Sequence, residues 1–249
     1  SVSYTKLWID VAREHNFKIW HRHTFLSFEG IYDAPVNNQK DYAAMLKQYI
    51  IDHPDFFKAG DILTPLAENA IHGVEGANGC PQNLCQYSSA EEYNQKTQEL
   101  IKAAHAGLQE IGMDGKVDID GFSWDGYFLW GNNNPDHLYH SFVDQNTLTM
   151  LGNRVSIDHY PPEGQTMEQG LMELAKTLPG VEVSIGEWGD INGWGKDFFN
   201  QTLETFKKYK ITRINYFQGG PSGKESLLNE NMTPNNNYLW LQAFYMENR

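Results

Sequence analysis

Two hydrophobic periods alternate along nearly the whole chain of 249 residues, and no other feature constrains the fold as tightly. Segments with apolar residues three and four apart are each followed by a short β-branched or aromatic run with a period of two. KLWIDVAREHN (6 to 16), with Leu7, Trp8, Val11 and Ala12 as its apolar positions, precedes FKIWHRHTFL, and DYAAMLKQYIID precedes GDILTPLAEN. A long helix is expected after Ser88 or Ser89 as N-cap, with Tyr93, Leu100, Ile101, Ala104, Leu108 and Ile111 on its apolar side, leading to VDIDGFSW. The pattern then runs through a helix near 137 to 151 and VSIDHYP, MEQGLMELAKTL and VEVSIGEWG, and FFNQTLETFKKYK and ITRINYFQ. A last helix, YLWLQAFYMENR, ends it.

Strands that alternate with helices call for parallel pairing through right-handed crossovers. A doubly wound open sheet would normally carry a Gly-rich phosphate turn after its first strand, and FKIWHRHT has none. A (β/α)8 barrel instead gathers polar and aromatic residues at the strand C-termini. Here those positions hold Trp20, His21 and His23; Glu68 and Asn69; Trp124 and Asp125; His159 and Tyr160; Glu187 and Trp188; and Gln218. The expected fold is therefore α/β, of the (β/α)8 TIM-barrel type, with six β/α units in one domain over residues 1–249. On this numbering the first two strands and one helix lie upstream of Ser1, and the visible strands are the third to the eighth.

A formal net charge of −13 repels nucleic-acid backbones and anionic membrane surfaces, which leaves a neutral partner as the expectation. The two cysteines, Cys80 and Cys85, share the turn-rich loop GANGCPQNLC. They are either two free thiols or a small disulfide loop formed in an oxidising compartment, and the second reading, with the sequons at Asn200 and Asn231, suits a secreted or extracytoplasmic protein. Their spacing is too long for a CxxC redox motif, and no second cysteine pair completes a zinc site. No cofactor is expected.

The segment VEVSIGEWGD (181 to 190) raises the functional question, because a strand with a buried pattern ends on a glutamate between glycines and a tryptophan. An unpaired carboxylate in a sheet interior is costly, so Glu187 either sits at a rim, receiving a hydrogen bond, or does chemistry. On the barrel numbering Glu68 ends strand four and Glu187 ends strand seven, so two carboxyl groups face one cleft. Glycosidic cleavage needs such a pair, one protonated to assist the leaving oxygen and one ionised to attack or to activate water. Glu75, in the same loop region as Glu68, is a competitor for its role. Trp20, Trp124, Trp130, Trp188 and Trp194 lie at strand ends or in the loops that follow, where aromatic faces can stack on sugar rings or join the core. Asp118 and Asp120, alternating on VDIDGF, carry no assignment.

With ILTPLAEN, SIDHYP and SIGEWGD in this order and spacing, the chain resembles a divergent member of the retaining glycoside hydrolases of clan A, a (β/α)8 family. The resemblance implies Glu68 as acid/base, Glu187 as nucleophile, and Tyr160 as the strand-six tyrosine that donates a hydrogen bond to the nucleophile. It implies a carbohydrate substrate, with Trp20, His21, His23, Asn69, Trp124, His159, Tyr160, Trp188 and Gln218 on the substrate side. The chain departs from the family where Ala67 precedes Glu68 and Asn69 follows it, and where Tyr216, Phe217 and Gln218 stand in place of the strand-eight tryptophan. Two rival readings remain open. His21 and His23 lie on one face of a strand, as in metal-dependent barrel hydrolases, and a decayed barrel could bind carbohydrate without cleaving it.

Overall fold

The structure, a computed structural model, describes residues 2–22, 41–65, 88–121, 123–124, 143–161, 164–217, 221 and 223–247. It divides into two compact units, one built from residues 1–123 and 140–155 and the other from 124–139 and 156–249. The division passes through strands β4 (Ser123–Trp124) and β5 (Arg154–Asp158).

The first unit contains helix α1 (Val2–Glu14), strand β1 (Trp20–Arg22), helix α2 (Tyr42–Asp52), a 3-10 turn (Pro54–Phe56) and strand β2 (Ile62–Thr64). Helix α3 (Ala90–Glu110), strand β3 (Asp118–Ile119) and helix α4 (Gln145–Met150) complete it. The strands form a parallel sheet in the order β1-β2-β3, with Trp20 opposite Ile62 and Ile62 opposite Asp118. Ser89 is the N-cap of α3 and accepts the Glu92 N–H, while the Glu92 carboxylate reaches back to the Ser88 N–H. Of the apolar residues expected on α3, Tyr93, Leu100, Ile101, Ala104 and Leu108 are buried. Helix α2 crosses α3 at Gly107, where a Cβ would lie 3.0 Å from the Ile50 Cβ and 3.2 Å from the Lys47 carbonyl, so the close approach needs a glycine.

Helix α1 departs from the sequence reading. Leu7 and Trp8 are 58% and 60% exposed, and the helix docks through Ile9 and Arg13 instead. The Arg13 guanidinium forms two hydrogen bonds with the wholly buried Asp61 carboxylate just before β2. That carboxylate also accepts the backbone N–H groups of Ile19 and Lys58. Burial works against its ionisation, but His21, Arg13 and the two backbone donors outweigh it and hold the carboxyl well below the usual range.

The second unit carries β6 (Glu182–Trp188) and β7 (Ile214–Tyr216) and the helices α5 (Met167–Thr177), α6 (Lys196–Lys208) and α7 (Asn236–Glu247). Its sheet runs in the order β4-β5-β6-β7, with β6 and β7 parallel. Strand orders in both sheets follow the sequence, as the alternation predicts. The run VDIDGFSW, expected as one strand, supplies two short ones: β3 ends the first sheet order and β4 begins the second. Helix α6 turns Phe198, Phe199, Leu203 and Phe206 inward, and Trp188 lies against Phe198, Phe199 and Phe206 at ring-centre distances of 6.4, 5.5 and 5.3 Å. The loop into α6 is fixed by the buried Asp190, whose carboxylate accepts the N–H groups of Trp194 and Gly195.

Candidate active site

Strand β6 does not keep its period to the end. Ile185 pairs with Ile214 and Trp188 with Tyr216, so three residues of β6 match two of β7 and one residue is extra. The hydrogen bonds locate the slip. The Ile185 N–H donates to the Arg213 carbonyl of the β7 segment, and in an unbroken strand the groups of Glu187 would face β7 again two residues later. Instead the Glu187 carbonyl accepts from the His159 N–H on the β5 side, and the Trp188 carbonyl accepts from the Phe217 N–H beyond β7. The displaced Gly186 carbonyl receives the side-chain Nδ2 of Asn215, 3.1 Å away. This is a β-bulge, a device that re-aims a side chain.

Its consequence is a reversal of facing. Ile185 and Trp188, which a regular strand would put on opposite sides, share the buried side, and Glu187 is turned to the other. There its Oε2 accepts a hydrogen bond of 2.9 Å from the Tyr160 hydroxyl. Both side chains are half-buried. The Tyr160 ring meets Phe217 edge-on, with centres 6.0 Å apart, and Phe217 is 37% exposed. A carboxylate held by a phenol in this way is able to act as a nucleophile or a base, or to bind a hydroxyl-rich ligand.

The other residues singled out in the sequence divide into three groups. Trp20 is half-buried on β1 and donates its Nε1–H to the Thr64 hydroxyl at 2.8 Å, so it remains on a partly open face. Three residues expected as substrate contacts are buried. Trp188 has no exposed surface and sits among the α6 phenylalanines and Tyr216, because the bulge sends it to the core with Ile185. His159 is 2% exposed, with its ring against α5: a Cβ on Gly170 would come within 2.3 Å of its Nε2. Burial lowers its pKa to about 4, so the ring is neutral, and neither ring nitrogen has a partner among the described residues. His21 is 7% exposed and packs against Phe57 with ring centres 4.6 Å apart and planes tilted by 38°, and its Nε2 lies 3.5 Å from Asp61, so it faces the apolar side of the first unit. Among the described residues no three His, Cys, Asp or Glu side chains gather as a metal site. The third group, Glu68, Asn69, His23 and Gln218, lies outside the described residues, as do Glu75, Trp130, Cys80 and Cys85. Trp124 is placed in β4.

Sequence reasoning missed Asn215, Phe217 and Glu225. A Cβ on Gly189 would meet the Glu225 Cβ and the Phe217 carbonyl at 3.4 Å and Tyr160 Cε1 at 3.7 Å, so Glu225 approaches the same corner. The bulge had a signal. Ile185 and Trp188 are large apolar residues out of phase with strict alternation, with a glycine between them, and glycine inside a strand often marks a bulge.

No protein-family model matches the chain, and no curated protein matches it. Solved structures do. The catalytic domain of Thermobifida fusca endoglucanase Cel5A matches with a TM-score of 0.57 and 11% identity over 98% of this chain and 74% of that one. A fungal β-1,4-galactanase matches with a TM-score of 0.60 and 12% identity over 99% and 82%. Xylanase 10B of Thermotoga petrophila, in complex with xylobiose, matches with a TM-score of 0.55 and 12% identity over 100% and 80%. At these identities the likeness is one of fold alone, to structures that are themselves TIM-barrel glycoside hydrolases.

Proposed function

We propose that this chain is a glycoside hydrolase that cleaves O-glycosidic bonds of a poly- or oligosaccharide by a retaining double displacement, on a fold of the (β/α)8 barrel type. The observation that carries the reading is the bulge in β6, which turns Glu187 away from the buried side and onto the Tyr160 hydroxyl at 2.9 Å. The fold likeness to an endoglucanase, a galactanase and a xylanase supports the reaction class.

In the proposed first step a carboxylate oxygen of Glu187 attacks the anomeric carbon, the bond to the leaving sugar breaks, and the leaving oxygen takes a proton from Glu68. In the second, water passes a proton to Glu68 and attacks the same carbon, and Glu187 is released as a carboxylate. Tyr160 holds Oε2 and so fixes the rotation of the carboxylate. Substrate contacts fall to Trp20, His23, Asn69, Trp124, Tyr160 and Gln218. The reading also carries secretion, with Cys80 bonded to Cys85; two titratable thiols in unreduced, denatured protein would contradict that part.

A panel of β-glucan, xylan and β-galactan incubated with wild type, Glu68→Ala and Glu187→Ala tests the function. Wild type should cleave at least one polymer, and both variants should lose that activity while Glu187→Ala still binds the polymer. Binding without cleavage by wild type would make the chain a carbohydrate-binding barrel instead.

A further inference from the structure

The half-buried pair Glu187 and Tyr160 depends on a backbone irregularity, and one exposed side chain holds that irregularity in place. Asn215, on β7, donates its Nδ2 to the Gly186 carbonyl at 3.1 Å. A carbonyl pushed out of a sheet ladder needs a donor from elsewhere. The Phe217 N–H, the β7 donor just beyond the slip, serves the Trp188 carbonyl. The Asn215 amide therefore meets the need that the extra residue creates. It does so one residue before Glu187, so the direction of the Gly186 peptide sets the direction in which the Glu187 side chain leaves the strand.

We propose that Asn215 is a positioning residue for Glu187, acting through the Gly186 carbonyl; the catalytic part of this inference rests on Glu187 being the nucleophile. Burial of Trp188 favours the bulged register as a whole, but it does not fix the plane of the Gly186 peptide, which turns at a residue without a Cβ. The amide removes that freedom. Losing it leaves Trp188 in its aromatic cluster and the fold intact, while the Glu187 carboxylate drifts from the Tyr160 hydroxyl and from the line of attack. A misplacement of about 1 Å at a reacting group costs roughly 100-fold in rate.

The test uses Asn215→Ala and the near-isosteric Asn215→Asp, which lacks the donor, so that one variant remains if the other folds poorly. Two measurements are made on each. In crystal structures the Tyr160 Oη to Glu187 Oε2 distance, 2.9 Å in the native chain, should lengthen beyond hydrogen-bond reach while Trp188 stays buried. In kinetics on whichever glycan the wild type cleaves, kcat should fall about 10- to 100-fold with KM within about twofold, a split that loss of stability alone does not produce. A variant that keeps the Tyr160–Glu187 bond overturns the proposal, whatever its melting temperature. If wild type cleaves no glycan, the functional reading fails, and the crystallographic measurement still decides whether Asn215 positions Glu187.

Discussion

Ile185 and Trp188 share one face of β6 although they stand three positions apart. In an unbroken strand they would face opposite ways, and Glu187 would point with Ile185 into the buried side. Two energies select the bulged register together. Burying a large apolar side chain such as Trp188 contributes about 3 kcal/mol, and an ionised carboxylate buried without partners would cost several kcal/mol. The slip that satisfies the tryptophan also presents the glutamate.

The Tyr160 hydroxyl makes a testable contribution. A hydrogen bond to a charged group is worth about 1.5–3 kcal/mol, so Tyr160→Phe should lower kcat by roughly 10- to 100-fold. The ring and its edge contact with Phe217 stay, so KM should move little. Steady-state kinetics on the cleaved glycan reads both constants, and an unchanged kcat would remove Tyr160 from the mechanism.

Gly170 lies inside α5, where alanine would normally stabilise the helix by about 1 kcal/mol. Here the added Cβ meets His159 Nε2 at 2.3 Å, and overpacking of that kind costs about 1–3 kcal/mol. Gly170→Ala should therefore destabilise the protein in urea unfolding. In a His159→Ala background the same substitution should become neutral or stabilising. A destabilisation of equal size in both backgrounds would mean that the ring does not occupy that space.

His159 also sets a pH dependence. Burial lowers its pKa from 6.5 to about 4, which favours the neutral ring in the folded state. The unfolded chain takes up a proton as the pH falls through 6.5, whereas the folded chain does so only near 4. The stabilisation is thus complete above about pH 7 and is lost between about 6.5 and 4, by about 3 kcal/mol in total. His159→Leu should remove that slope from unfolding free energies measured between pH 7 and 4. An unaltered slope would place the titrating group elsewhere.

The helix and strand periods carried most of the fold into view, because burial on one face imposes a period of 3.6 or 2 on the residues themselves. The Ser89 cap and the buried row from Tyr93 to Leu108 were legible for that reason. Helix α1 was not: its docking depends on Arg13 reaching Asp61, 48 residues away, and no local period encodes such a pair. At the site, Glu187 and Tyr160 could be named from SIGEWG and SIDHYP, but the facing of their neighbours could not. Alternation counts residues, and a bulge changes the count, so Trp188 went to the core. His159, beside Tyr160 on the opposite face, met α5 at a position opened by Gly170. His21 read as a rim residue because it ends a strand, yet its neighbour Trp20 faces the partly open side and the alternation turns His21 to Phe57.

The most direct measurement of the central claim is covalent trapping. A retaining nucleophile forms a glycosyl ester that a fluorine at C2 of the sugar makes long-lived, because it destabilises the oxocarbenium-like transition states of both steps while a good leaving group keeps the first one fast. The protein would be incubated with dinitrophenyl 2-deoxy-2-fluoro-β-glycosides of cellobiose, xylobiose and galactobiose, digested, and mapped by mass spectrometry. A mass increase of one glycosyl group on the peptide that carries Glu187, absent from Glu187→Gln, is the predicted result. A label on Glu225, Glu75 or any other carboxylate, or glycan cleavage by the wild type with no label at all, would contradict it.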